Sequence, residues 1–153
     1  IQGQVDATAA TDTGLYVGKL KGLGDVTVIN VADSLNVPSD LFVVTRGYYK
    51  ENKSVLRRFL KAYRNSTQWM IDNPEDAAKI AVTRAINGRD EKVNLEIIKL
   101  RNISAQSETT RSKRLGHFDL EVLQDGADTF FAQGLISSAI DMTQVVKTDL
   151  IPE

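Results

Sequence analysis

Apolar positions change their period partway along this chain. Up to about residue 50 they gather in short β-branched runs set among Gly, Thr, Asp and Pro, a pattern of strands and turns. Val5 to Ala10 reads as a buried strand. Thr11-Asp12-Thr13-Gly14 follows as a turn or helix start, with Thr11 or Asp12 able to cap amides. Leu15 to Leu20 predicts a short helix closed by Lys21-Gly22. Val26 to Val31 reads as a second strand and Leu41 to Thr45 as a third. Pro38-Ser39-Asp40 leads into the third, where a proline costs no ladder hydrogen bond.

From Ser54 onward the period is helical. Val55, Phe59, Tyr63 and Met70 recur on one face, while Arg57, Lys61, Arg64 and Gln68 take another. A helix from Lys53 to Asp72 follows. Asn73-Pro74-Glu75-Asp76 then opens a second helix: Asn73 caps, Pro74 loses nothing at the first helical position, and two acids meet the positive helix end. Ala77, Ile80, Ala81 and Ala85 carry this helix to a stop at Asn87-Gly88. A third helix spans Asp90 to Asn102, with Val93, Ile97 and Leu100 on one face. Ile103 to Gly116 is polar and reads as a loop or short strand. A last helix begins near Phe118-Asp119, carries Leu123, Ala127, Phe130 and Phe131, and stops at Gly134. The tail from Ser137 mixes turn and extended chain, with Val145-Val146 expected to be buried. Strands first and helices later predict an α/β or α+β fold.

Composition narrows the function classes. The chain has 153 residues, 42% hydrophobic and 25% charged, enough apolar side chain for a core. Nineteen Lys and Arg balance twenty Asp and Glu, which argues against a nucleic-acid binder. The absence of cysteine excludes disulfides, thiolate metal sites and Cys nucleophiles. The opening Ile1-Gln2-Gly3-Gln4 lacks a basic-then-apolar leader and reads as the interior of a longer reading frame.

The catalytic inventory is short. His117 stands near Ser112 and Asp119, yet proximity in sequence is not triad geometry, and a packed or solvated histidine before a helix is the simpler reading. Asp125 and Asp128 share a helix face, as an acid–base or metal pair or as an ordinary exposed face. Arg57, Lys61 and Arg64 form a basic stripe, a docking surface or a solvated one. Arg111, Lys113 and Arg114 either grip a phosphate or sulfonate or belong to a surface loop. Gly14, Gly18 and Gly22 lack phosphate-loop spacing. Thr8 to Asp12 places small hydroxyls and an acid at the end of an apolar strand, where open α/β sheets bind ligands; helix capping is the alternative use of the same groups.

Three stretches together resemble one family. Gly3-Gln4-Val5-Asp6-Ala7 is similar to the G-x-V-D-A strand of periplasmic solute-binding proteins of the sulfonate, nitrate, taurine and thiamine-precursor type. Phe59-Leu60-Lys61-Ala62-Tyr63 followed by Asn73-Pro74-Glu75-Asp76-Ala77-Ala78 resembles their paired helices. Leu123-Gln124-Asp125-Gly126-Ala127-Asp128 with Gly134-Leu135-Ile136 resembles their penultimate helix and its exit. The ordered set spans about Gly3 to Val146. The sequence departs at Thr8-Ala9-Ala10-Thr11, where relatives often carry an aromatic or a proline.

The resemblance implies an α/β, two-lobed, hinged type 2 periplasmic binding fold, of which this chain is the helix-rich C-terminal half. Residues 1–36 would complete the second lobe, 37–48 would cross the hinge, and 49–153 would return to the first lobe. It implies ligand-binding positions at Asp6, Thr8, Thr11, Asp12 and Asn30, a small-molecule solute, an ABC permease as partner, no nucleic acid, no metal, no cofactor and no catalysis. It implies a periplasmic or cell-surface-anchored protein. Two alternatives share the scaffold. One is a pyrimidine-precursor synthase-like enzyme, whose relatives use a cofactor-bearing Lys, an active-site His and a Cys-rich segment. The other is the effector-sensing domain of a transcription regulator.

Overall fold

The computed structural model describes residues 2–38, 40–84 and 90–151. Eight α-helices are found among them: α1 (Asp12–Leu20), α2 (Arg46–Glu51), α3 (Lys53–Asp72), α4 (Pro74–Arg84), α5 (Glu91–Ser104), α6 (Glu108–Lys113), α7 (Leu120–Ala132) and α8 (Met142–Val145), with one 3-10 turn at Val31–Asp33. The helical part of the reading holds closely. The α3 bounds match those predicted, and the break at Asn73 is where the Asn-Pro pair places it. Ala85 and the stop expected at Asn87-Gly88 lie outside the described residues. Gly134 ends α7 with a φ of 70°, a backbone that only glycine adopts without strain.

The strands do not form. Val5 to Ala10, Val26 to Val31 and Leu41 to Thr45 lie outside any ladder, and no strand occurs among the described residues. β-Branched runs supply the side chains of a strand, but the ladder requires a neighbour to exchange hydrogen bonds with. None is present among the described residues. Ile29 and Val43 are accordingly 87% and 84% exposed. The α/β expectation is met in its helices alone. Val145 is also corrected: it is exposed, Val146 is half-buried, and Leu150 is the buried apolar residue of the tail.

The chain divides into two compact units. The first comprises Ile1–Val28 and Ser66–Gln106. Its core is Ala77, Ala78 and Ile98, flanked by Met70 and Leu95. Alanines on α4 let the α5 backbone approach closely, and α1 also packs on α5. Asn94 and Asn102 are buried on α5. The Asn102 Nδ2 donates to the Met70 carbonyl at 3.3 Å.

The second unit comprises Ile29–Asn65 and Ser107–Glu153. Leu123, Gly126 and Ala127 form the buried stripe of α7. A Cβ built on Gly126 would lie 2.7 Å from Val37 Cγ1, so this glycine makes room for the valine. Gln124 ties the segment after α7 back to the helix. Its Nε2 donates to Asp128 Oδ1 and to the Ile140 carbonyl, both at 2.9 Å, and its Oε1 accepts from the Met142 amide at 2.9 Å. Phe42, Phe59 and Tyr63 form an exposed aromatic cluster, with Phe42 edge-on to the other two at 5.2 and 4.8 Å. Among the described residues no helix is long and apolar enough to cross a membrane.

Candidate functional site

Four of the five expected ligand-binding residues belong to the first unit. Thr11 has extended backbone and caps α1: its Oγ1 accepts from the Gly14 amide at 3.1 Å and lies 3.1 Å from Thr13 Oγ1. Asp12 opens the helix, and its Oδ1 accepts from the Thr13 amide at 2.7 Å. Both contacts follow from local chemistry, since four amides at a helix start lack carbonyl partners. Thr8 donates to the Ala9 carbonyl at 3.4 Å. Asp6, Thr8, Thr11 and Asp12 are all exposed. Thr11, Asp12 and Thr13 thus form one hydrogen-bonded group at the α1 start, with Thr8 and Asp6 on the segment leading to it. Asn30 belongs to the second unit. It precedes the Val31–Asp33 turn, is exposed, and makes no capping bond there.

This group presents hydroxyl oxygens that donate or accept and carboxylates that only accept. Its oxygens can accept hydrogen bonds from N–H or O–H groups, and its hydroxyls can also donate. Among the described residues no group of three or more His, Asp or Glu is placed to hold a metal ion.

Among the other candidate residues, Ser112, Asp119 and Asp128 spend their side-chain oxygens on local hydrogen bonds. Ser112 Oγ donates to the carbonyls of Glu108 and Thr109, and Asp119 caps α7 through the amides of Glu121 and Val122. Neither oxygen is directed to His117, whose backbone amide meets the Arg114 carbonyl at 3.4 Å. Asp128 accepts from Gln124, while Asp125 is exposed on α7. Arg111 and Lys113 lie on α6, in a segment whose polar composition predicts a loop or short strand. Ser107 and Thr110 bond reciprocally at its start and make it helical.

A constellation that sequence reasoning missed stands in the second unit. Asp149 Oδ1 accepts from Tyr49 Oη at 2.6 Å, and its Oδ2 accepts from Lys53 Nζ at 2.8 Å. Arg57 Nη2 donates to the Asp149 carbonyl at 3.0 Å. The Lys53 ammonium also sits 4.7 Å from the Tyr49 ring centroid. The Lys53 hydrogen bond, then that of Tyr49, holds the Asp149 carboxyl below its ordinary range. The same pairing, Asp149 first and Tyr49 second, raises the Lys53 ammonium. The i, i+4 spacing of Tyr49, Lys53 and Arg57 was visible in the sequence. Their partner about one hundred residues later was not.

The family model described as NMT1/THI5 like matches residues 1–77, half of the chain. The chain belongs to this family, of the periplasmic solute-binding kind associated with sulfonates, nitrate and thiamine precursors. The matched span contains all five candidate ligand residues. No curated protein and no solved structure matches the chain.

Proposed function

We propose that the chain serves as the substrate-binding component of an ABC importer and captures a small nutrient without transforming it. The observation supporting this reading is the family match over residues 1–77, a range that includes the candidate residues Asp6, Thr8, Thr11, Asp12 and Asn30. In the proposed mechanism two lobes close about a hinge, and contacts to both lobes select the closed state. Thr8 and Thr11 hydroxyls hold the polar end of the solute; Asp6 and Asp12 accept from its donors. Residues 37–48 cross the hinge, the protein works in the periplasm or anchored at the cell surface, and an ABC permease receives the solute.

The acids refine the solute class. Two carboxylates beside the hydroxyls repel a bare anion such as nitrate and favour a solute bearing an amino group, such as an aminosulfonate or aminopyrimidine. A non-catalytic role is supported by Ser112 and Asp119, which direct their side-chain oxygens to helix backbone. The test is an equilibrium titration of the natural full-length protein with an aminosulfonate, nitrate and an aminopyrimidine. Saturable binding of an amino-bearing solute recovered unchanged supports the reading. Steady formation of a product, or an absorbance band from a Lys-bound pyridoxal group, sinks it.

A further inference from the structure

Charge is segregated along this chain. Between Arg46 and Arg64 stand seven Lys and Arg against one acid, Glu51, a local charge of +6 in a chain of net charge −1. The segment is α2 and the first three turns of α3. Helical spacing puts Arg57, Lys61 and Arg64 on one face, with Arg58 beside Lys61. Lys50, Arg58 and Lys61 are exposed and form no ion pair among the described residues.

The chain itself shows what this surface takes. Tyr49, Lys53 and Arg57 converge on Asp149, three donors within 3.0 Å of one residue, two of them on its carboxylate. The pair is half-exposed, with side chains 47% and 45% accessible for Lys53 and Asp149. An exposed ion pair contributes little to stability, so an incoming carboxylate competes with it at small cost.

We infer that the cationic face of α2 and α3 docks an acidic protein surface, with Asp149 as the resident carboxylate that a partner's acid joins or replaces. Charge complementarity and the resident carboxylate both point to an acidic partner. A lipid surface fits less well, because the acid this face already holds is a carboxylate, gripped by Tyr49 Oη and Lys53 Nζ, and the rings of α3 that a bilayer would embed, Phe59 and Tyr63, pack edge-on against Phe42. The inference does not depend on the solute reading, because it uses none of the proposed solute residues.

The experiment uses two probes: a fluorescein-labelled ten-residue polyglutamate peptide, and vesicles of phosphatidylglycerol and phosphatidylcholine. The protein is expected to bind the peptide with an affinity that falls as salt rises. D149N frees Lys53 and Tyr49 and should tighten binding about two- to fivefold. R58E/K61E should weaken it about tenfold or more, and K61Q about two- to fivefold. K19E/K92E, which changes the net charge equally on other helices, should leave affinity unchanged. Equal losses in R58E/K61E and K19E/K92E overturn the inference, as does a D149N protein that binds no tighter. Vesicle binding stronger than peptide binding also overturns it, in favour of a lipid surface.

Discussion

Replacing Gly126 by alanine sets two known effects against each other. Gly126 lies in the interior of α7, where alanine is favoured over glycine by about 1 kcal/mol. Against that, the new Cβ would sit 2.7 Å from Val37 Cγ1 and 3.6 Å from Val37 Cβ. Carbon atoms pack comfortably at about 3.5–4.0 Å, so the first contact is too close by roughly 1 Å. Valine is stiff at χ1 and does not easily swing the methyl aside. Overpacking of this kind costs about 1–3 kcal/mol, and about 2 kcal/mol here, because Val37 is stiff but only half-buried on a loop. The net prediction is destabilisation of about 1 kcal/mol, a fall in Tm of about 2–4 °C for a chain of this size. A double-mutant cycle isolates the cause. In a Val37→Ala background the obstructing methyl is gone, and Gly126→Ala should now stabilise by about 1 kcal/mol. Urea unfolding followed by circular dichroism on all four proteins reads the sign. The same change for Gly126→Ala in both backgrounds refutes the close approach as the reason for the glycine.

Three further outcomes are expected. Gln124→Met keeps the length of the side chain but leaves the Met142 amide and the Ile140 carbonyl without their partner, and should cost about 1–3 kcal/mol by urea unfolding. Thr11→Ala removes the α1 cap and should cost about 1 kcal/mol, while Thr11→Ser restores it. If Thr11 also holds solute, Ala weakens solute binding as well; a change in stability with affinity untouched makes it a cap alone. For Asp149, the carboxyl is lowered, so its contribution is complete above the ordinary carboxylate value and fades as pH falls through the lowered one. Lys53 is raised, so its contribution is complete below the ordinary lysine value and fades as pH rises through the raised one. The stability difference between wild type and D149N should therefore be flat from about pH 5 to about pH 9 and vanish beyond both ends; a step near neutral pH in thermal melts contradicts the pairing.

What the sequence made legible was local. The Lys53–Asp72 helix, the Asn73-Pro74 break and the Gly134 stop rest on periodicity and capping, which act over a few residues. The helix at Glu108–Lys113 was missed because its capping box pairs Ser107 with Thr110 rather than with Glu or Gln. The helix at Arg46–Glu51, capped by Thr45 through the Tyr48 amide, was not anticipated, and its first three residues fall in the 37–48 stretch expected to cross a hinge. The strands were read from composition, but a ladder is a property of two segments and no pattern within one can guarantee its partner. The same limit hid Asp149, whose donors lie 92 to 100 residues earlier. At the candidate site, the Thr11 and Asp12 contacts with the α1 backbone could be anticipated from helix-start chemistry. The placement of Asn30 in the other unit follows from how the chain packs.

The central claim is reversible capture of an amino-bearing solute through the Thr8 to Asp12 group. Its most direct test is calorimetric titration of the natural full-length protein with an aminosulfonate and an aminopyrimidine, with nitrate as the bare-anion control. Each mixture is then followed by proton NMR. The account predicts saturable one-to-one binding of one amino-bearing solute, loss of that binding in Asp12→Asn, and ligand signals unchanged over hours. Binding of nitrate alone, no binding by any of the three, or the appearance of product resonances contradicts it.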